Sequence, residues 1–274
     1  MRIVSLSPSI TDVLVSLGLE DELVGVTPFC LPWLRSRGLG DIALVGDYLR
    51  INVSKLKSLR PDVIFLQSHV HDKFLDELLG TGFRAYLIDL PTSVFHAISE
   101  AVKIADLVSR GLEGRILASK VIEDVSRYLK DIVSRDLGFR PRVYVEYLWP
   151  NWTYTTTGAL TFANDMVWIA GGLNIFYKVI AKFFEPRDED ILNSRPDVVL
   201  VNVEPQMKVN LREYLSRRPT IAKLSEAGTK VFLIRESRDV NLAHWGPTAL
   251  ASTIRWVHEV LSTLTPKPKD PIEG

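Results

Sequence analysis

Aromatic side chains are concentrated in one short loop of this 274-residue chain. The segment from Glu146 to Tyr154 contains Tyr147, Trp149 and Trp152 as well. Aromatic residues in a loop, rather than on one face of a helix, are typical of sites that stack on a large planar or apolar ligand. The segment therefore favours small-molecule binding.

A second chemically capable group is His69-Val70-His71-Asp72, together with the single cysteine, Cys30. Imidazole and thiolate groups are ligands for borderline and soft metal ions. Two histidines two residues apart form an incomplete metal set, and a lone cysteine is more often a small apolar core residue. Metal binding, a polar cleft wall and a helix cap at Asp72 remain as alternatives.

Motifs and charge exclude several classes of protein. The sequence lacks the phosphate-loop, dinucleotide, zinc-protease and serine-hydrolase motifs. We therefore expect no catalytic residues, no resident metal and no cofactor. Lys plus Arg and Asp plus Glu number 33 each, so the formal net charge is zero, which argues against a nucleic-acid partner.

Strand patterns alternate with helix patterns along the chain, which predicts an α/β fold with mostly parallel sheets. The first half contains apolar, β-branched runs separated by helical stretches, and so does the second. The predicted strands are residues 3–6, 23–26, 63–66, 85–88, 142–146, 198–202 and 231–234.

Two parts of the chain repeat one signature, about half a chain length apart. Leu59–Leu66 and Ser194–Val201 each contain Arg-Pro-Asp followed by an apolar strand pattern. Each copy is followed by a glycine turn and another strand, at Gly80–Ile88 and Ala227–Ile234. Because proline ends a helix and the following run is fully apolar, both copies predict the same helix-turn-strand unit. The repeat predicts two Rossmann-like lobes.

A long helix pattern lies between the two halves. Arg115 to Arg135 has neither Gly nor Pro and keeps an apolar stripe at helical spacing, while Gly111 and Gly114 are expected to interrupt the preceding helix. Such a helix is about 30 Å long and is expected to join the lobes as a single stiff connection. The predicted domains are an N-terminal lobe (1–110), a connecting helix (111–137), a C-terminal lobe (138–265) and a flexible tail (266–274).

Ligands of open α/β sheets bind beyond the carboxyl ends of the strands, so the residues after each predicted strand are the candidates. Ser9 is predicted to cap the first helix, with Asp12 completing a capping box. Aromatic candidates are expected to stack on the ligand, and the histidines to contact its polar groups or an axial metal position. The predicted ligand contacts are Ser7, Phe29, Cys30, Trp33, His69, His71, Trp149, Trp152, Tyr154, Glu204, His244 and Trp245.

Successive blocks of the chain resemble the class III substrate-binding proteins of ABC importers, and most closely their cobalamin-binding branch. The resemblance covers nearly the whole chain, from Arg2 to about Leu264. The blocks that carry it are Arg2–Asp12, Leu56–Leu66, Thr156–Phe176 and Asp190–Val199.

This resemblance implies a monomer that holds a corrinoid, haem or siderophore chelate in a cleft between its lobes. It also implies delivery of that ligand to a membrane permease and ATPase complex. In this family one carboxylate on each lobe docks against permease arginines. The corresponding residues here are Asp72, where Glu is more usual, and Glu189.

Two other functions remain open from the sequence. One is an intracellular cofactor-handling protein or enzyme on the same scaffold, and the other is free-metal binding through Cys30 and the histidines. Met1-Arg2 leads directly into a strand pattern, without the features of a signal peptide. We expect an extracytoplasmic or membrane-associated protein if a leader was removed, and a cytoplasmic one otherwise. The lobe with Trp149 to Tyr154 is expected to determine ligand identity.

Overall fold

The structure is a computed structural model, which describes residues 1–35, 38–39, 41–134, 140–235 and 240–264. The predicted tail (266–274), the end of the predicted connecting helix (135–137) and the side chain of Trp33 lie outside this description. Contacts divide the chain into two compact units. Unit 1 comprises Met1–Glu123 and Ser237–Ala251, and unit 2 comprises Asp124–Glu236 and Ser252–Gly274.

Unit 1 contains a five-stranded parallel sheet in the order β3-β2-β1-β4-β5. Both faces of this sheet are covered, so the side chains of its inner strands are buried on both sides. The aliphatic side chains of β1 and β4 form its core. All four strands predicted here are confirmed, whereas β3 was missed because two residues carry no periodic signal. The strands are β1 (Ile3–Ser5), β2 (Leu23–Val26), β3 (Ala43–Leu44), β4 (Val63–Gln67) and β5 (Ala85–Ile88).

Unit 2 contains a mixed sheet in the order β11-β10-β6-β7-β9, with β8 also pairing with β6. The three long strands of this sheet are parallel and confirm the three predicted strands. A short antiparallel extension follows the aromatic loop, and its strands were not predicted. The strands are β6 (Arg142–Leu148), β7 (Tyr154–Thr157), β8 (Leu173–Asn174), β9 (Phe183–Phe184), β10 (Val198–Val203) and β11 (Lys230–Arg235).

Helices connect these strands, as expected for parallel pairs, which need crossover connections. No helix among the described residues is both long and apolar enough to span a membrane. The helices are α1 (Pro8–Ser16), α2 (Leu31–Arg35), α3 (Val53–Leu59), α4 (Asp72–Gly80), α5 (Val94–Leu107), α6 (Gly111–Ser134), α7 (Phe162–Ile169), α8 (Asp188–Ser194), α9 (Leu211–Arg217), α10 (Pro219–Glu226) and α11 (Pro247–Ser262).

The predicted long helix is α6, and the boundary between the two units falls inside it. The boundary also falls inside α11, so two helices contain residues of both units. The predicted interruption at Gly111 and Gly114 is wrong, because both glycines belong to α6. A Cβ atom on Gly114 would collide with the Cβ of Ala105, so glycine here permits close packing of α5 against α6.

The sequence repeat corresponds to two equivalent turns. α3 ends at Arg60 and α8 ends at Arg195, with left-handed φ angles of 47° and 41°. Non-glycine residues rarely adopt this conformation, so its occurrence at both arginines shows that the two turns have the same geometry. The residue after each arginine is a proline, which cannot extend the helix. The predicted duplication of helix, turn and strand is confirmed.

The aspartate of each Arg-Pro-Asp turn fixes the strand next to it. The Asp62 carboxylate accepts the backbone N–H of Arg2 at 2.6 Å, and the Asp62 N–H donates to the Arg2 carbonyl at 2.8 Å. Asp197 makes the same two bonds to Arg142, both at 2.8 Å. Each aspartate therefore sets the start of a neighbouring parallel strand, which explains why the signature occurs twice.

The predicted capping box in α1 is wrong. The N-cap position is Ser7, and α1 begins at Pro8, so Ser9 and Asp12 lie within the helix. Proline at the first helical position needs no hydrogen-bond acceptor for its nitrogen, which favours this earlier start.

Ser9 and Asp12 instead hold the segment that opens α11. The Ser9 hydroxyl accepts the backbone N–H of Trp245 at 3.0 Å. One oxygen of Asp12, which is only 1% exposed, accepts the N–H groups of Thr248 (2.9 Å) and Ala249 (3.3 Å). Asp12 thus caps a helix start that lies more than 230 residues away along the chain.

We predict that Asp12→Ala lowers the free energy of unfolding by about 1–3 kcal/mol, because it leaves buried N–H donors without an acceptor. Urea denaturation measures the loss. Asp76→Ala, which removes an exposed carboxylate from α4, is the matched control and should change stability little. Equal losses in the two variants would contradict the capping role.

Candidate functional site

Most predicted ligand contacts lie just beyond the carboxyl end of a strand, where neighbouring parallel strands bring them to one edge of each sheet. In unit 1 they follow β1, β2 and β4. In unit 2 they follow β6 and β10. Ser7 follows β1, Phe29 and Cys30 follow β2, His69 and His71 follow β4, Trp149, Trp152 and Tyr154 follow β6, and Glu204 follows β10.

An aromatic cluster lies at this edge in unit 1. The rings of Phe29 and Tyr48 stack with centroids 4.5 Å apart and an interplanar angle of 5°. The Tyr48 ring is 5.9 Å from the ring of His71, which is 6.2 Å from that of Phe74. Two predicted contacts are therefore joined by Tyr48, which was not predicted.

A tight turn after β3 positions Tyr48. The carboxylate of Asp47 accepts the N–H groups of Leu49 (2.7 Å) and Arg50 (3.0 Å), and the Asp47 N–H donates to the Arg50 carbonyl at 2.9 Å. Tyr48 therefore occupies a preformed turn. The rule that ligand contacts follow the carboxyl ends of strands would have identified Tyr48 if β3 had been recognised as a strand.

His71 is a buried, neutral histidine. Its Nδ1 atom accepts the backbone N–H of Gln67 at 3.2 Å. Burial lowers the pKa of His71 to about 4, an effect that the Asp47 backbone offsets only in part. At neutral pH the imidazole is therefore an uncharged part of the aromatic cluster.

Ser7 and Trp245 meet inside unit 1 rather than at its surface. The Trp245 indole N–H donates to Oε1 of Gln67 at 2.9 Å, and the Ser7 hydroxyl approaches the same oxygen at 3.5 Å. Nε2 of Gln67 donates to the Ile88 carbonyl at 3.1 Å. Trp245 is only 1% exposed, so its indole packs in the core and supports the sheet edge.

Cys30 and His244 are also buried. The Cys30 thiol lies 3.2 Å from the Thr27 hydroxyl, and burial raises its pKa, which disfavours the thiolate that binds metals. Nδ1 of His244 lies 3.2 Å from the side-chain nitrogen of Asn241, and burial lowers the pKa of His244 to about 3. The raised pKa of the Cys30 thiol argues against free-metal binding through Cys30.

Among the described residues, one group of three metal-capable side chains comes together, and it contains none of the predicted contacts. It consists of Asp89, His96 and Glu100, with ligand atoms within 4.8 Å of one another. The Lys103 ammonium already pairs with Glu100 at 3.2 Å, and Nδ1 of His96 accepts the Thr92 N–H at 3.3 Å. Because the Glu100 carboxylate is already paired with an ammonium group, this arrangement favours an ionic network over a metal site.

Two further predicted residues of unit 1, His69 and Asp72, are exposed. His69 occupies the turn after β4 with a left-handed φ of 66°. Asp72 is the first residue of α4, whereas the N-cap position belongs to His71, so the predicted cap at Asp72 is wrong by one residue. An exposed carboxylate in the first turn of a helix is available to a partner and is favoured by the helix dipole.

The aromatic loop of unit 2 is held by its own hydrogen bonds. The Trp149 N–H donates to the Thr153 carbonyl and the Trp152 N–H donates to the Trp149 carbonyl, both at 2.9 Å. The Trp149 indole donates to the Thr155 hydroxyl at 3.1 Å. Trp152 has a left-handed φ of 58°, a strained conformation for a bulky residue. The loop is therefore preformed, as expected for a binding site.

Two consecutive arginines cover these aromatic rings. The guanidinium of Arg217 lies 4.3 Å from the ring centre of Trp152, and that of Arg218 lies 3.6 Å from the ring centre of Tyr154. Cation–π contacts of this kind fix the orientation of a ring. A ligand that stacks on either ring must therefore use the opposite face.

Sequence reasoning missed the buried charge beneath this loop. Glu146, which is fully buried, accepts hydrogen bonds from Tyr214 (2.6 Å), Arg218 (2.7 Å) and Tyr144 (2.9 Å). Burial, and then the Glu146 carboxylate, raise the pKa of both tyrosines well above its ordinary value. A glutamate within the apolar run of β6 was the signal in the sequence, because buried charges are rare unless they are paired.

Glu204 lies beyond the end of β10. Its backbone N–H donates to the Leu148 carbonyl at 3.2 Å, which ties it to the strand that leads into the aromatic loop. Burial raises the pKa of its carboxyl group. A desolvated carboxyl of this kind is suited to accept or donate a hydrogen bond to a neutral polar ligand group.

An exposed apolar surface adjoins the aromatic loop. The ring of Phe183 packs edge-on against Tyr147 at 5.3 Å, and Tyr147 stacks on Trp149 at 6.5 Å. Exposed apolar patches of this kind mark binding surfaces. We call this set, which includes Ile180 at 84% exposure, the apolar loop surface: Leu160, Tyr177, Val179, Ile180 and Phe183.

Comparison with known proteins places this architecture in a family. The model of the family described as periplasmic binding protein matches residues 3–230. The chain belongs to this family. Because periplasmic binding proteins are transport components and not enzymes, the prediction of a non-enzymatic protein is confirmed at the level of the family.

Two curated relatives are about one-quarter identical to the chain over the aligned residues. A cobalamin-binding protein of Halobacterium salinarum is 26% identical over 74% of this chain, which spans 54% of that protein. A vitamin B12-binding protein of Yersinia pestis is 25% identical, with 73% of this chain and 69% of that protein covered. The solved structure of a periplasmic haem-binding protein from Pseudomonas aeruginosa has a TM-score of 0.81 at 16% identity, covering 97% and 95% of the two chains, and shows the shared fold.

The buried histidines predict a loss of stability in acid. The pKa of His71 is about 4 in the folded chain and about 6.5 in an unfolded one, so the unfolded state binds the proton first. This contribution to stability is therefore complete above pH 6.5 and is lost as the pH falls towards 4, by about 2 kcal/mol between pH 7 and pH 5.

His71→Asn should remove this contribution, while its amide oxygen still accepts the Gln67 N–H. The free energy of unfolding should decrease between pH 7 and pH 5 in both proteins. We expect this decrease to be about 2 kcal/mol smaller in His71→Asn than in the unchanged chain. Urea denaturation at both pH values measures it. His69→Asn, at the exposed histidine of the same turn, is the control, and identical pH dependence in both variants would refute the assignment.

Proposed function

We propose that this periplasmic binding protein is the substrate-binding component of an ABC importer for a corrinoid, or for another large metal chelate such as haem or an iron–siderophore. The observation that carries the proposal is the pair of preformed aromatic groups at the carboxyl edges of its two sheets. The relatives named for cobalamin and vitamin B12 make a corrinoid the first ligand to test. They also favour this function over an intracellular cofactor-handling enzyme.

The chemistry of the two edges suits such a ligand. A corrin or porphyrin ring presents a broad apolar face with polar groups around its rim. The stacked pair of Phe29 and Tyr48 offers a matching uncharged surface in unit 1, and the buried, neutral imidazole of His71 packs against Tyr48. Trp149 and Trp152, with the apolar loop surface beside them, offer another in unit 2. Because both groups are fixed before binding, little conformational entropy is lost when a ligand docks.

We further propose that Asp72 and Glu189 dock the chain against arginines of a permease, which works with an ATPase, on the extracytoplasmic side of a membrane. Both carboxylates are exposed and both lie in the first turn of a helix. An exposed carboxylate can form the short, charge-assisted bonds that guanidinium groups favour. Each unit thus offers one docking position.

The test of the ligand is a calorimetric and absorbance titration of the full chain with cyanocobalamin, cobinamide and haem. We expect at least one of them to bind with a micromolar or smaller Kd. Tyr48→Ala and Trp152→Ala should each weaken that binding by about tenfold or more, because each removes one stacking ring.

Trp168→Ala is the matched control. Trp168 is a partly exposed aromatic residue of unit 2, but its ring packs on Arg140, which precedes the amino end of β6. Its loss should leave affinity within about twofold of the unchanged chain. Absence of binding to all three compounds would overturn the assignment of a corrinoid or haem as the ligand. Equal losses in Trp168→Ala and Trp152→Ala would overturn the proposed binding site.

A further inference from the structure

The first turn of α8 is tied to the aromatic loop through one side chain. Oδ1 of Asp188, the first residue of α8, accepts a bond from Nη1 of Arg218 at 2.9 Å. The hydroxyl of Tyr154 approaches the same oxygen at 3.4 Å. The next residue in the helix is Glu189, the proposed docking carboxylate. The loop that carries a proposed ligand contact and the turn that carries a proposed docking group therefore share one carboxylate oxygen.

Arg218 is held in place by three different contacts. Its Nη2 donates to Glu146 at 2.7 Å, its Nη1 donates to Asp188, and its plane lies 3.6 Å from the ring centre of Tyr154. The arginine side chain is only 5% exposed. A planar guanidinium that serves a fixed, buried carboxylate cannot rotate without leaving that charge unpaired. Arg218 therefore acts as a rigid link.

The neighbouring carboxylate shows that this link is specific. Asp190 also lies in the first turn of α8, but it pairs with Arg187, an exposed side chain three residues earlier in the chain, at 2.8 Å. That pair is local and exposed, so it constrains little outside its own turn. Of the two aspartates that flank Glu189, only Asp188 contacts Arg218.

We propose that Arg218 is a positioning residue that fixes the first turn of α8, and with it Glu189, relative to the loop that carries Tyr154. A ligand that stacks on the open face of the Tyr154 ring then holds the contact over Arg218 and the bond from Tyr154 to Asp188 in place together. Ligand binding at the loop that carries Tyr154 is thereby transmitted to the first turn of α8, which carries Glu189. This inference rests on the proposed function, in which Tyr154 contacts ligand and Glu189 docks.

The test compares Asp188→Ala with Asp190→Ala in the full chain. Each variant removes one first-turn carboxylate next to Glu189, but only Asp188→Ala breaks the link to Arg218. The Glu146–Arg218 pair stays intact in both, so both should fold, which circular dichroism checks. Amide hydrogen exchange is followed in the first turn of α8, with no ligand and with saturating cyanocobalamin or haem.

Without ligand, we expect exchange in this turn to be on the order of tenfold faster in Asp188→Ala than in Asp190→Ala, because the turn opens more readily once its anchor is lost. With ligand, exchange in the turn should change in the unchanged chain and in Asp190→Ala, but not in Asp188→Ala. Ligand affinity should stay within about twofold in both variants.

Two results would overturn the inference. Equal exchange in the two variants without ligand would show that the link does not position the turn. Binding that leaves exchange in α8 unchanged in the unmodified chain would show that nothing is transmitted. Failure of every chelate to bind is a different result, because it refutes the assignment of a corrinoid or haem as the ligand and the transmission while the ligand-free comparison still decides the positioning role.

Discussion

The central strands of each sheet run parallel, so within each unit the loops that follow them emerge at one edge of that sheet. This constraint determines where the chain can assemble a binding surface. In unit 1 it brings Phe29 beside Tyr48 and His71, although they lie in three separate segments. In unit 2 it places Glu204 beside the strand that leads into the aromatic loop. The two Arg-Pro-Asp turns maintain the constraint, because each aspartate fixes the start of a neighbouring strand.

Each unit supports this edge with a buried polar group, but the two solutions differ. Unit 1 uses the neutral amide of Gln67, which bonds to Trp245 and to the backbone of Ile88. Unit 2 uses the carboxylate of Glu146, whose burial is compensated by Arg218 and two tyrosines. A compensated ion pair adds little net stability compared with apolar packing, yet it restricts the geometry of its members. The buried Glu146–Arg218 pair lies beneath the aromatic loop, whose shape matters most for the proposed ligand.

Sequence patterns predicted the elements with strong periodicity and failed where partners are distant or elements are short. The seven predicted strands and the long helix follow from apolar periodicity, whereas β3 has two residues and gave no signal, so Tyr48 was missed. Ser9 and Asp12 matched a local capping box, but their partners lie at α11. Cys30, His244 and Trp245 were predicted as ligand contacts from their chemistry, and only packing reveals that they are buried.

The most direct test of the carboxyl-edge site is a crystal structure of the full chain grown with cyanocobalamin. Our account predicts that the corrin ring lies within about 4 Å of carboxyl-edge aromatic residues such as Tyr48 or Trp152. It also predicts that these side chains keep the conformations described here, because both loops are preformed. A corrin bound instead at the amino ends of the strands, for example against Trp168, would contradict the account.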